Sequence, residues 1–360
     1  MNMKKLTSAV LAAVAAFTFV GGSADAATRD EIAAIKVSKK GNFQYWTKDS
    51  EAKKILVDYV KDVTNPKSKN FIPVKDRIAT FDCDGTLMCE TAPFYFDWLL
   101  QVHRINDSAN YKATAEEKAL AQKMRTAIDN HTANDELDDE KSVVFPKIMA
   151  GLTPDEYRAY IKNYINTTYV EGLSNLKTGE AFYLPMAEVV SYLNANDFTV
   201  YIVSGCERET IRALVDGIMD IEPNHIIGTD HSYTFAKQGN KRADRYFFKP
   251  DDKFMRGDKL LSINVNGNKI FRIQTEIGKK PVLAFGNSMG DASMFEFTLL
   301  DNKYKSAAFV LLCDDTEREL GNVAKAEKVK KTALQYGWVP VSMKNDFATI
   351  YGDKVKREAK

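Results

Sequence analysis

Neither sign of charge predominates in this chain: 50 Lys+Arg stand against 49 Asp+Glu over 360 residues, a formal net charge of +1. That balance excludes the broad basic field by which a protein holds nucleic acid or anionic lipid. Histidine and cysteine are scarce, four residues each. Cys83, Cys89, Cys206 and Cys313 form no C-x-x-C pair and no disulfide framework spacing. Their even count permits bridges in an oxidising compartment. A Cys89–Cys206 bridge is the alternative to the expected state, buried free thiols. Internal repeats, low-complexity tracts and coiled-coil heptads are all absent. What remains is ordinary globular composition, 44% hydrophobic and 28% charged. The length suits a core domain and a second, smaller one.

Residues 1–26 read as an export leader. Lys4 and Lys5 precede an apolar run from Leu6 to Val20, and Ala24 and Ala26 have the A-x-A spacing of a cleavage site. The run is shorter than the roughly 20 residues a spanning helix needs. No cysteine follows the cleavage site, so a lipid anchor is not expected. The expected destination is the bacterial periplasm or the medium, with no membrane attachment after cleavage.

Beyond the leader, Arg29 to Asn42 is polar and expected to be loosely held. Ser50 caps a predicted helix running to Val63, and Arg77–Phe81 reads as a short buried strand. From Pro93 to Gly179 the pattern is helical, with candidates at 94–106, 115–130, 140–150 and 153–169. The last opens on Thr153-Pro-Asp-Glu156, a capping box with proline in the first turn. Strands and helices then alternate. Helices are predicted at 185–196, 207–220, 269–277 and 294–299. Strands are predicted at 198–203, 225–228, 281–285 and 307–312, with hairpin strands around 233–235, 246–248 and 260–265. This order predicts an α/β fold with a parallel sheet covered on both faces. Such a sheet places its ligand beyond the C-terminal strand ends.

Those ends carry the polar residues. The stretch FDCDGTLMCE puts Asp82 and Asp84 one residue apart after a strand, where their charges repel unless something positive lies between them. VYIVSG delivers Ser204 and Gly205; a later helix begins near Lys269; VLAFGNSMGD delivers Asn287 and Asp291. A few hard oxygen donors without histidine or cysteine suit Mg²⁺, which keeps several waters. Ser204, Lys269 and the backbone amides around Gly85 and Gly205 suit a phosphate dianion. A carboxylate beside both is a competent nucleophile. Lys279 and Lys280 rival Lys269 for the cationic role. His103, His131, His225 and His231 read as structural, and the aromatics around Phe94–Trp98 as core.

These motifs resemble those of haloacid dehalogenase (HAD) superfamily phosphatases: D-x-D-G-T as DCDGT, a strand ending in serine as VYIVSG, a lysine, and an acidic fourth motif as GNSMGD. More narrowly, FDCDGTLMCE, LPMAEVVSYL, IGKKP and GNSMGD resemble an exported bacterial branch labelled phosphoserine-phosphatase-like. The segments WTKDSEAKKILVDYV and VPVSMKNDFATIYG resemble that branch too. The resemblance is strongest over residues 45–95 and 180–350. It implies a Rossmann-like HAD core formed by 27–93 and 180–360, with a helical cap at 94–179. It also implies Asp82 as nucleophile and metal ligand, Asp84 as acid/base and metal ligand through its carbonyl, and Ser204, Gly205 and Lys269 as phosphate binders. Asn287 and Asp291 complete the implied Mg²⁺ site. Glu90 falls where related phosphatases keep a substrate-reading carboxylate, with a salt bridge to the cap as the alternative. Three positions stand out: Asn287, where many superfamily members have aspartate although the branch commonly has asparagine, Met289 for the branch's usual aspartate, and Cys206 for a common glycine.

The expected activity is Mg²⁺-dependent hydrolysis of a small phosphomonoester through an aspartyl-phosphate. Phosphoserine, phosphocholine-like esters and sugar phosphates all fit. Phosphoryl transfer to another alcohol, as in phosphomutases, and a catalytically silent exported binding protein are the alternatives. No feature sets an oligomeric state.

Overall fold

The computed structural model describes residues 26–89 and 96–358. Two helices precede the sheet, α1 (Arg29–Ala33) and α2 (Glu51–Thr64), the latter capped by the Ser50 hydroxyl on the Lys53 amide. Strand β1 (Ile78–Phe81) is buried along its whole length. Four helices follow: α3 (Phe96–Asn106), α4 (Ala115–Asn130), α5 (Asp135–Ile148) and α6 (Pro154–Thr167). The chain then returns through α7 (Leu184–Ala195), β2 (Thr199–Glu207), α8 (Arg208–Val215), β3 (Ile226–Phe235) and β4 (Phe254–Ser262). It ends with α9 (Gly267–Arg272), β5 (Leu283–Gly286), α10 (Ala292–Leu299), β6 (Ala307–Leu312), α11 (Val323–Tyr336), β7 (Val339–Ser342) and α12 (Met343–Asp346).

The seven strands form one sheet in the order β4-β3-β2-β1-β5-β6-β7, and every pair is parallel except β3 with β4. Alternate residues of the central strands feed two cores. Phe81, Phe285 and Phe309 lie in register on one face, with ring centroids 4.2 and 5.0 Å apart in succession. Ala284, Ala308 and Val310 pack with Met294, Phe295 and Trp338 on the other. Burial on both faces explains why these strands read as continuous apolar runs. It is an α/β fold of the expected class, with the ends of β1, β2 and β5 side by side at its centre.

Several local expectations are corrected. The 29–42 stretch is not loose: Thr28 and Glu31 form a capping box, Ile32 is buried, and the Arg29 guanidinium donates to the carbonyls of Gly179, Leu214 and Asp216. Residues 246–248 form no strand, and β3 alone spans the expected strands at 225–228 and 233–235. The helix expected at 140–150 begins at Asp135, capped by Asn134. The one expected at 207–220 stops at Val215. Helix α11 and strand β7 were not legible at all. Residues 1–25, which hold most of the expected leader, lie outside the described residues. Among the described residues no helix is long and apolar enough to cross a membrane.

Candidate active site

β1 ends at Phe81, and the Asp82 amide donates to the Phe285 carbonyl on β5 at 2.9 Å, carrying the ladder one residue further. The chain then turns. Gly85 takes the left-handed conformation (φ 71°), a conformation open to glycine, and its amide donates to the Met88 carbonyl at 2.8 Å. That bond commits the Gly85 amide to the turn, so it is not available to an anion as the sequence suggested.

The Lys269 ammonium, on α9, sits between two carboxylates. Its Nζ lies 2.8 Å from Asp82 Oδ1 and 2.6 Å from Asp291 Oδ1. Burial works against this cation, but Asp291 and Asp82 outweigh it and hold its pKa above the ordinary value. Burial raises the Asp82 carboxyl to about 6; Lys269 opposes that rise, and Asp291 adds to it. The other oxygen of Asp291 accepts from the amides of Asn287 (3.0 Å) and Ser288 (3.1 Å), and Asp291 forms a capping box with Ser288. Both Asp291 oxygens are therefore bonded to the chain itself.

Ser204 and Gly205, in the second half of β2, face the same cavity. Ser204 Oγ accepts from the Cys206 amide at 3.2 Å. The loop is braced from the hairpin side: Thr229 Oγ1 donates to the Gly205 carbonyl at 2.6 Å, and Asn264 Nδ2 to the Ser204 carbonyl at 3.0 Å. A Cβ on Gly205 would come within 2.8 Å of Val265 Cγ1. Asn264, fully buried, is a supporting residue that carried no motif signal.

One cavity of about 440 Å³ gathers Asp82, Asp84, Ser204, Gly205, Lys269, Asn287 and Asp291. Lys279 instead pairs with Asp76, and Lys280 Nζ donates to the Leu300 carbonyl. Glu90 lies outside the described residues. Phe96 and Trp98 are buried in the apolar core, as expected. All four cysteines are free thiols, and Cys83, Cys89 and Cys206 are buried. Burial pushes the Cys206 thiol up, and Asp84 and Asp97 add to it.

The inserted helices close the far side of the cavity with Asp97 on α3 and Asp135, Asp138, Lys141, Ser142 and Phe145 on α5. They are tied to the sheet: the Gly151 amide donates to the Arg256 carbonyl at 2.9 Å, and the Arg256 amide to the Leu152 carbonyl at 2.8 Å. His231, read from sequence as structural, also lines the cavity.

For a metal ion, no group of three or more His, Cys, Asp or Glu side chains converges among the described residues. The donors at hand are the Asp82 carboxyl group and the Asn287 side-chain amide, beside the Asp84 carbonyl that the resemblance implies, with Asp291 committed behind them. A carboxylate and two amide-type oxygens fit a hard cation that retains water, such as Mg²⁺, and do not fit zinc or copper.

A mostly parallel sheet with helices on both faces, a buried carboxylate–lysine–carboxylate bridge and a serine loop at its central strand ends define a Rossmann-like α/β protein with its site at the strand ends. The family model for haloacid dehalogenase-like hydrolases matches residues 79–296. The chain belongs to that family. No curated protein matches the sequence. Among solved structures, a conserved protein of unknown function from Anaerococcus prevotii is similar at 12% identity, with a TM-score of 0.53 over 89% of this chain and 100% of that one. A protein of unknown function from Bordetella pertussis is similar at 14% identity and a TM-score of 0.47, over 74% of this chain and 97% of that one. A cytosolic 5'-nucleotidase IIIB bound to cytidine is similar at 11% identity and a TM-score of 0.47, over 81% and 85%.

Proposed function

We propose that this hydrolase cleaves small phosphomonoesters. The observation that carries the reading is the Lys269 bridge, which holds the Asp82 carboxylate at the mouth of the β1 turn with Asp84, Ser204 and Asn287 in the same cavity. A nucleophile must be fixed and kept ionised although burial disfavours its charge; Lys269 does both.

Asp82 attacks phosphorus in line, the bond from phosphorus to the ester oxygen breaks, and Asp84 gives its proton to the departing alcohol. Water then attacks the aspartyl-phosphate, Asp84 takes up its proton, and phosphate leaves with Asp82 restored. Lys269 and Ser204 hold charge on the transferring group, which is where most of the rate enhancement in phosphoryl transfer arises. Asp82, Asp84 and Asn287 would hold Mg²⁺, which when bound adds positive charge beside the phosphoryl oxygens. The four helices α3–α6 act as a cap that shields the reaction from water and selects the alcohol. The leader directs export, and the working compartment is the periplasm or the medium.

The test is a screen of the purified protein against phosphomonoesters, with and without Mg²⁺. Asp82→Asn is expected to abolish phosphate release while the protein keeps its circular dichroism spectrum and cooperative melting. Full turnover in the folded variant overturns the mechanism.

A further inference from the structure

Beyond the phosphoryl end, the cavity floor is a buried polar group that the chemistry does not use. Arg256 Nη1 donates to Glu207 Oε1 at 3.0 Å, and the guanidinium stacks 3.8 Å from the Tyr157 ring centroid. The other Glu207 oxygen accepts from the amide and the hydroxyl of Thr210. Arg256 Nη2 lies 3.0 Å from His231 Nδ1. A guanidinium can only donate, so Nδ1 is the acceptor and the imidazole proton sits on Nε2. His231 is 7% exposed and lines the cavity, yet its Nε2 has no partner among the described residues. The β3–β4 register shifts on both sides of His231, an irregularity of the kind that re-aims a side chain.

The wall facing it has a definite charge. Lys141 Nζ lies 2.5 Å from Asp97 Oδ2 and 3.1 Å from Asp138 Oδ1, and Asp135 stands on the same rim. The one ammonium pairs with two of these three carboxylates, which leaves the rim acidic. The floor is neutral, because Arg256 and Glu207 offset each other. Phe145 packs 5.4 Å from the imidazole, and Leu260, Ile263 and Val265 complete the wall. A second anionic group on a substrate would meet acidic surplus here. An ammonium group could pair with the rim carboxylates but would offer no acceptor to Nε2–H. An uncharged alcohol bearing hydroxyls meets a donor on the floor, carboxylate acceptors on the rim and an aromatic face between them.

We infer that His231 is a specificity-determining residue whose Nε2–H donates to an oxygen of the leaving group, so that the preferred substrates are monophosphates of small, uncharged, hydroxylated alcohols of the sugar or polyol class. This inference rests on the phosphomonoester reading and adds the substrate class. A single buried donor of this kind is worth roughly 10–100-fold in kcat/KM between substrates that do and do not engage it.

The experiment measures kcat/KM with Mg²⁺ for ribose phosphate, glucose phosphate, glycerol phosphate, phosphoserine, phosphocholine and phenyl phosphate, whose leaving group offers no acceptor beyond the ester oxygen. At least one hydroxylated neutral ester is expected to lead the panel. In His231→Phe its advantage over phenyl phosphate is expected to fall by ~10–100-fold. In His231→Gln, whose side-chain amide restores an N–H at the same reach, most of that advantage is expected to remain. An equal loss on both substrates in His231→Phe, no rescue by glutamine, or phosphoserine or phosphocholine leading the panel overturns the inference. Phenyl phosphate separates the two levels: if the wild type cleaves it without favouring hydroxylated esters, only the substrate class fails. If the wild type cleaves nothing in the panel, the phosphatase reading fails and the inference with it.

Discussion

Gly286 has no room for a side chain because Asp291 stands against it. A Cβ there would lie 2.5 Å from the Asp291 carboxyl carbon and 2.6 Å from its Oδ2. Asp291 cannot swing aside cheaply, since Lys269 holds one of its oxygens and the Asn287 and Ser288 amides hold the other. Gly286→Ala is therefore expected to cost roughly 1–3 kcal/mol of stability. It should also lower kcat much more than it raises KM, since it displaces Lys269 and with it Asp82. Chemical denaturation and steady-state kinetics check the two halves. Wild-type kcat in the variant would show that Asp291 does not position the nucleophile.

The Asn287 position sets how much negative charge a cation meets. Its side chain lines the cavity with Asp82 and Asp84. Asn287→Asp adds a second carboxylate to the donor set at nearly constant shape. The half-saturating Mg²⁺ concentration is expected to fall several-fold, with the gain largest at low ionic strength, where charge is least screened. Titrating activity against Mg²⁺ in chelator-stripped protein measures it. An unchanged or higher half-saturation value would place Asn287 outside the cation's reach.

The motif residues were legible because each one combines a chemically demanding side chain with a strand end. Asp82, Ser204 and Asn287 each follow an apolar run of the right length, and parallel strand ends converge. The lysine was less distinct. Lys269, Lys279 and Lys280 are equivalent by type, and only the three-dimensional placement of α9 brings the first to Asp82 while the others pair at the surface. Nothing in the sequence marks His231 as a cavity residue, since it stands on a polar segment between motifs. What makes it a cavity residue is a register shift and an arginine 25 positions away. Residues such as Lys141, between β1 and β2, sit on an amphipathic helix, where a charge reads as a solvated face. Local pattern cannot reveal that this face turns onto a cavity. Helix α11 and strand β7 lie beyond the last motif and carry none of its chemistry-bearing residues.

Lys269 carries two buried carboxylates, so its removal has a cost separable from catalysis. Lys269→Met leaves Asp82 and Asp291 facing each other without compensation, which is expected to destabilise the protein by roughly 3–5 kcal/mol. Adding Asp291→Asn removes one of the stranded charges and keeps an oxygen for the Asn287 and Ser288 amides, so the double variant should recover part of that loss. Neither variant should release phosphate at an appreciable rate. A double-mutant cycle on denaturation midpoints tests the coupling. Simple additivity would mean that the Lys269–Asp291 contact contributes no net interaction energy.

His231 should make the fold acid-sensitive in a defined window. Burial lowers its pKa to about 4; Glu207 opposes that shift, Arg256 and Lys141 reinforce it, and Asp230 opposes it. The folded pKa is thus depressed below the ordinary value near 6.5, and the folded state resists a proton that the unfolded chain accepts. The contribution is fully present above pH ~6.5 and is lost as pH falls through about 4, amounting to about 3 kcal/mol for a shift of this size. Burial is the main source of the resistance, and protonation would also place a second N–H against the Arg256 guanidinium. Glutamine at this position has no proton to gain. The stability of His231→Gln relative to wild type should therefore rise progressively between pH 6.5 and 4, and denaturant titrations at fixed pH steps would show it. Parallel stability curves for the two proteins across that range would mean that His231 is not held neutral by Arg256. The tautomer that points an N–H into the cavity would then lose its structural basis.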